Sequence, residues 1–453
     1  MKLTPVKLFL LALIVLGQVF AGEYKLGGYY RSWAQDLFTP NDIDFDSVTH
    51  LFHAFAWPSA SGDLQYDYGF LNLLLIKKTH DAHRKILLSL GGASNSDGFS
   101  PMAADDNARS KFIENVVNFI GKYQYDGVDI DWEFPESATD RINMVKLVSE
   151  LRKKMDDTGE TYLLTMAIPV GDWFGQWFQF DVLKNSVDWF NAMTYDFHGS
   201  WTSHSGHNAP LYSPSPAVDN CGSVDDGIKY LIYKRGLPPE KILLGLAFYG
   251  REFNTSGLYH SSTGGDATYG YADIVPLIGN GWVYHWDNVS KVPYLTNTAG
   301  NKLITFDDTV SVKLKCEYAV NKKLAGCMIW ALGHDKIADN QPLLNTAANV
   351  LKIQTGIDGR PNPEIPKTIF FKAFPNPFNT SVKLELNLRR EQSVRLQIFD
   401  VSGRLVARLL GATVLAKGKY DFFWNAGSHA SGEYIVVAQS QYQRIEKRIV
   451  LIK

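Results

Sequence analysis

Cysteine is nearly absent: Cys221, Cys316 and Cys327 are the only three among 453 residues. Three thiols so far apart exclude a disulfide framework, so stability must come from a hydrophobic core. Cys316 lies in a helix-like run and Cys327 in the strand-like Ala325-Gly326-Cys327-Met328-Ile329-Trp330. Both are expected as small buried hydrophobes, with a single Cys316–Cys327 bridge as the alternative. Net charge is equally scarce, at −2 from 45 Lys plus Arg against 47 Asp plus Glu. It is unevenly spread. Residues 1–21 carry +2, and 14 basic against 6 acidic residues give +8 from 367 to 453, which leaves −12 on residues 22–366. That central part repels polyanions, which argues against nucleic acid as a partner and favours a neutral or cationic polymer. Long apolar runs are missing as well. The stretch from Leu8 to Phe20 falls short of the roughly 20 residues a bilayer span needs. With Lys2 and Lys7 before it and Val19-Phe20-Ala21 closing it, residues 1–21 read as a secretory signal peptide.

The rest of the chain is rich in short, β-branched runs separated by helix-like segments. Eight such runs are Tyr24 to Tyr29, His50 to Phe55, Lys85 to Leu90, Asp126 to Trp132, Tyr162 to Ile168, Trp189 to Thr194, Ile242 to Ala247 and Ala325 to Trp330. Strands alternating with helices argue for a parallel sheet, and eight units close an α/β (β/α)8 TIM barrel over residues 22–355. The interval before the last run is too long for one crossover. Its Gly-, Tyr- and Asn-rich text predicts an α+β insertion subdomain over about 253–303, with Ser311 to Asn321 left as the crossover helix. Three prolines in Gly356 to Pro366 predict an extended linker. Alternating runs at Val382 to Leu388, Val394 to Phe399, Tyr420 to Trp424, Tyr434 to Ala438 and Ile445 to Ile452 then predict a C-terminal all-β, Ig-like sandwich over 367–453.

The run Asp126-Gly127-Val128-Asp129-Ile130-Asp131-Trp132-Glu133 is the most informative. Alternation by two aims Asp129, Asp131 and Glu133 to one side and Val128, Ile130 and Trp132 to the other. Like charges at this spacing raise one another's pKa, which suits a glutamate kept protonated as a general acid. A hard-cation site is the rival reading of the same carboxylates. In a TIM barrel the site lies at the C-terminal strand ends. Those ends carry Tyr29, Phe55, Gly92, Glu133, Met193-Thr194-Tyr195-Asp196 and Trp330, so aromatics ring the carboxylates. His204 and His207 stand at helical spacing, but in a Gly- and Ser-rich loop, so neither a metal nor another cofactor is expected. Trp173 and Trp177 are candidates for the groove, and one of Trp282 and Trp286 is expected in the core of the insertion.

These motifs resemble those of glycoside hydrolase family 18 chitinases. The carriers are Ser89-Leu90-Gly91-Gly92, the quartet Asp126, Asp129, Asp131 and Glu133, Met193-Thr194-Tyr195-Asp196 with Gly199 and Trp201, Asn208-Ala209-Pro210-Leu211, and Tyr249-Gly250-Arg251-Glu252-Phe253. The resemblance implies a chitinase acting on chitin or chito-oligosaccharides through substrate-assisted, retaining hydrolysis, in which the sugar's own acetamido oxygen is the nucleophile. It makes Glu133 the acid and base, Asp131 the partner of the acetamido N–H, Asp129 the support of Asp131, and Tyr195 a donor to the acetamido oxygen. It makes Trp330 the floor beneath the sugar, and it places Tyr29, Phe55, Gly92, Met193, Asp196, Trp201 and Arg251 among the substrate contacts. An endo-β-N-acetylglucosaminidase and a non-catalytic oligosaccharide-binding protein are the alternatives. Ala93 and Ala247 depart from the pattern, standing where many relatives carry Trp and Pro.

The tail resembles the C-terminal sorting domain of type IX secretion cargo. Its carriers are Phe374-Pro375-Asn376-Pro377-Phe378-Asn379, Asp400-Val401-Ser402-Gly403-Arg404, Ser431-Gly432-Glu433-Tyr434 and the basic-aliphatic end Lys447 to Lys453. This implies the outer-membrane secretion machinery as a partner and a secreted, extracellular or cell-surface location in a Gram-negative bacterium. An Ig-like accessory module and a carbohydrate-binding sandwich are the alternatives. A monomer is expected.

Overall fold

The computed structural model describes residues 24–214, 218–352, 369–388, 391–400, 404–440 and 444–453. The expected signal peptide and proline-rich linker lie outside them. The described residues form two compact units, one ending at residue 352 and one beginning at 369.

In the first unit eight parallel strands close on themselves: β1 (Lys25–Arg31), β2 (His50–Pro58), β3 (Lys85–Gly91), β4 (Gly127–Asp131), β5 (Leu163–Ile168), β6 (Trp189–Ala192), β7 (Ile242–Ala247) and β8 (Gly326–Trp330). Neighbours in sequence are neighbours in space, and β1 pairs with both β2 and β8, which closes the barrel. The strands are apolar on both sides because each is covered twice. Val128, Ile130 and Trp132 face outward into the core shared with Met144, Leu147 and Val148 of the helix Ala138–Asp156. Trp132 stacks on Phe99 at 5.2 Å. A smaller core of Tyr29, Phe52, Phe55, Leu87, Leu243 and Met328 fills the barrel itself. Helix ends follow local chemistry. Asp105 caps the helix Asp106–Tyr123 by accepting from the Asn107 and Ala108 N–H groups, and Gln124 ends it in the left-handed conformation.

The insertion is a five-stranded antiparallel sheet in the order Thr263–Gly270, Tyr249–Asn254, Lys302–Thr305, Val292–Asn297, Trp282–Asp287. It runs from Tyr249 to Thr305, wider than the expected 253–303, because only Phe248 separates β7 from the first insertion strand. The strand carrying Tyr249 and Arg251 is thereby held at the barrel mouth. Trp282 packs onto the insertion core of Ile274, Leu295, Ile304 and Phe306. Asp307, after the last insertion strand, forms a buried ion pair with Lys315 of the crossover helix Thr309–Asn321. The Cys316 and Cys327 sulfurs lie 3.9 Å apart, buried and unbridged.

The second unit is two antiparallel sheets. One orders Ile369–Phe374, Ser381–Leu388 and Gly418–Asn425; the other orders Leu405–Leu415, Gln392–Asp400, Gly432–Ser440 and Arg444–Leu451. Alternate residues such as Val382, Leu384, Leu386, Val394, Leu396 and Ile398 point into a core that also holds Trp424.

Candidate active site

Strand β4 delivers its carboxylates into the barrel one step at a time. Asp129, fully buried, accepts from the hydroxyls of Tyr29 (2.9 Å), Ser89 (2.8 Å) and Thr165 (2.6 Å) and from the Asn191 side-chain amide (3.0 Å). Burial raises its pKa, and these four donors pull the other way. Asp131 follows on the same face. Its pKa is pushed well above its ordinary value by burial first, then by Glu133 and Asp129, and its Oδ1 has no partner among the described residues. Such an acceptor is costly unless something else supplies a donor.

Glu133 stands just past the strand end, with its N–H donating to the Ser96 hydroxyl at 2.9 Å. Burial, and then the charge of Asp196, lift its pKa from 4.5 to about 7. A carboxyl group so placed carries a proton near neutral pH and can donate it. Burial first, then Tyr249, and then Asp131, Glu133 and Asp196 raise the pKa of Tyr195 well above its ordinary value, so its hydroxyl stays neutral and able to donate.

Asp196 comes from the loop after β6 and is already occupied. Its Oδ1 accepts from the Tyr249 hydroxyl and from the Arg251 Nε (2.8 Å) and Nη2 (2.7 Å). Arg251 also donates to the Gly265 carbonyl at 2.8 Å, and its guanidinium lies 4.9 Å from the Trp201 ring centre. Trp201 itself is 59% exposed at the rim. On the opposite wall Trp330 stacks on Phe55 at 5.8 Å and 17°, and Trp33 stacks on the same Phe55 at 5.9 Å. Gly92 has φ +82°, and a Cβ there would lie 2.4 Å from the Phe55 ring, so this position requires glycine. Met193 packs at the mouth with Tyr195 and Trp330.

Three positions singled out in the sequence have the following surroundings. Tyr29, expected as a substrate contact, is 1% exposed, and its hydroxyl is spent on Asp129. Asp126, a member of the quartet, sits at the other end of the strand, where it pairs with Lys85 (2.7 Å) and His80 (2.9 Å). His204 and His207 do not act together: His204 faces Asp219, while His207 is paired with Asp287 at 3.0 Å. Two residues emerge only in three dimensions. Trp33, 58% exposed, extends the aromatic wall, and Tyr249 fixes Asp196. The Tyr29-Tyr30-Arg31-Ser32-Trp33 sequence, with one more aromatic beyond a strand end, was the available signal for Trp33.

A carboxyl group held protonated beside a second carboxylate, inside an aromatic-walled barrel mouth, defines the class as a sugar-cleaving TIM barrel. Comparison with known proteins makes this specific. Residues 25–335 match the glycosyl hydrolases family 18 profile, and the chain belongs to that family. Residues 372–453 match the secretion system C-terminal sorting domain, which indicates a secreted or cell-surface protein of a Gram-negative bacterium. Among curated relatives, Chitinase A1 of Niallia circulans is 31% identical over 70% of this chain. The match spans 57% of that relative's own length. Probable chitinase 2 of Drosophila melanogaster is 32% identical over 69% of this chain and 72% of its own. Among solved structures, the Ostrinia furnacalis Group IV chitinase in complex with allosamidin superposes with a TM-score of 0.68 at 29% identity. That superposition covers 73% of this chain and 99% of the other.

Proposed function

We propose that the protein is a secreted chitinase that hydrolyses β-1,4 linkages between N-acetylglucosamine units with retention of configuration. Glu133 protonates the leaving oxygen and then removes a proton from the incoming water. The substrate's acetamido oxygen attacks the anomeric carbon, giving an oxazolinium ion in place of a glycosyl-enzyme. Asp131 accepts from the acetamido N–H, Asp129 and its donors hold Asp131, and Tyr195 donates to the acetamido oxygen. Trp330 and Phe55 form the apolar floor, Trp201 and Arg251 the rim.

The observation that carries this reading is that, among the described residues, the carboxylates near Glu133 are either on its own strand or already hydrogen-bonded. A two-carboxylate retaining site places its nucleophile about 5 Å from the acid on the far side of the sugar. Asp131 comes from the same strand as Glu133, and Asp196, which arrives from another strand, is tied by Arg251 and Tyr249. This arrangement favours a nucleophile brought by the sugar itself. Family membership and the chitinase names of the relatives support the substrate class. The domain plan that accompanies it is a signal at 1–21, the barrel at 22–355, a linker at 356–366 and the sorting domain at 367–453, with the outer-membrane secretion machinery as the partner of the last.

The test is substrate chemistry. Chitin oligosaccharides should be cleaved, while fully de-N-acetylated oligomers of the same length should not. Comparable rates on both would refute substrate assistance.

A further inference from the structure

Past Asp196 the β6 loop runs away from the carboxylates and folds over a second polar cluster that the proposed reaction does not use. His198, His204, Asp219 and Cys221 each offer one donor atom, and the four atoms lie within 4.8 Å of one another. We propose that these four side chains bind one zinc ion, which ties the loop leaving Asp196 to the segment at 219–221.

Donor chemistry and proton bookkeeping both point there. Two imidazole nitrogens, a carboxylate oxygen and a thiolate are the borderline-soft set that selects zinc, with four ligands suiting a closed tetrahedral structural site. The His198 Nδ1 lies 3.0 Å from the His207 carbonyl, so Nδ1 carries a proton, and Nε2, when it too is protonated, pairs with Asp219. A second-shell carbonyl on the far nitrogen is the usual orientation of a metal-bound histidine. Nε2 is 3.1 Å from the Asp219 Oδ1, and the His204 Nε2 is 3.3 Å from the same oxygen. In the metal-free protein a proton on Nε2 holds that contact, and a bound cation would take the proton's place.

Asp219 supplies an independent observation. It is 4% exposed, and its Oδ1 also accepts the Cys221 N–H at 3.0 Å, yet its Oδ2 is buried with no partner among the described residues. A buried, unpaired carboxylate oxygen is a costly thing to keep, and a dication answers it. Zinc also balances the charge. Two positive charges meet one carboxylate and one thiolate, the Cys221 S–H proton and the His198 Nε2–H proton going to solvent as the metal binds. Ligand-to-ligand edges in a tetrahedral zinc centre are about 3.3–3.7 Å, so the longest edge of the cluster needs to contract by about 1.1–1.5 Å. The ligand spacing, with His198 and His204 on one loop and Asp219 and Cys221 two apart after a turn, matches no compact zinc motif. Such a site is therefore silent in the sequence, where His204 pairs by spacing with His207.

The test uses the full chain, purified without added metal and dialysed. Elemental analysis should find about one zinc per chain, falling to background in the Cys221→Ser/His204→Ala double variant. Stripping wild type with a chelator and adding cobalt(II) should give a thiolate-to-cobalt charge-transfer band and the visible bands of a tetrahedral centre, with Cys221→Ser lacking the former. Wild type that takes up no zinc, zinc retained by the double variant, or a cobalt spectrum without thiolate character would each overturn the proposal. The cobalt spectrum of wild type decides it even if the double variant fails to fold.

Discussion

The charge of Asp196 should be visible in the pH profile. Glu133 must be protonated to act as an acid, and its pKa is raised to about 7, so kcat/KM should decline as pH rises through that value. The rise from the ordinary 4.5 corresponds to about 3 kcal/mol between the two protonation states. Burial is the larger cause and Asp196 the smaller, which leaves at most about 1.5 kcal/mol to the aspartate. Asp196→Asn keeps an oxygen for Tyr249 and Arg251 but removes the charge. The upper limb of kcat/KM should move to lower pH by about half to one unit, measured on a soluble chito-oligosaccharide across pH 4 to 9. The turnover at the optimum will also fall, since the proposed function puts Asp196 beside the substrate, but the position of the limb is independent of that loss. A limb that stays in place, or moves to higher pH, would refute the assignment of Asp196 as a contributor to the state of Glu133.

Glu133 also affects stability. A carboxyl whose pKa is higher folded than unfolded stabilises fully below about 4.5 and loses that contribution as pH rises through about 7. Glu133→Gln should therefore melt close to wild type at pH 4 and clearly above it at pH 8, by up to about 3 kcal/mol followed by calorimetry; a constant gap across that range would contradict the linkage. Lys315 and Asp307, both fully buried, predict a different asymmetry. Lys315→Met alone should cost about 3–5 kcal/mol by stranding a buried carboxylate, and adding Asp307→Leu should recover most of it, measured as urea midpoints of the barrel transition; an additive double variant would contradict the pairing.

Much of the barrel was legible because each strand has to be apolar on both faces, which leaves short β-branched runs at crossover spacing. Strand β7 falls on the expected residues, and the others differ by a few residues at their ends. The β4 ladder was legible for the opposite reason: Asp129 and Asp131 break an apolar run at every second position, and that pattern has one geometric outcome. The start of the insertion was not legible, because Tyr249–Asn254 follows β7 after one residue and the hydrophobic pattern does not pause. Leu405–Leu415 was missed because most of its residues are exposed, so no alternation marks it. Ile369–Phe374 lies inside the expected 367–453 sandwich but was not singled out as a strand, because its six residues are hemmed between Pro366 and Pro375. Tyr29 illustrates the limit at the site. Its place at a strand end suggested substrate contact, but whether its hydroxyl meets a sugar or Asp129 depends on a residue 100 positions away. The Asp196, Tyr249 and Arg251 cluster likewise spans more than 50 residues and is assembled only when the insertion sheet docks on the barrel mouth.

The central claim is that Glu133 moves the proton while the substrate supplies the nucleophile. The most direct measurement follows the anomeric configuration of the product by proton NMR during hydrolysis of a chitin oligosaccharide, in wild type and Glu133→Gln. Wild type should release the β-anomer first, before mutarotation, and the variant should lose activity by several orders of magnitude. An α-anomer formed first, or a Glu133→Gln variant that hydrolyses at the wild-type rate, would contradict it.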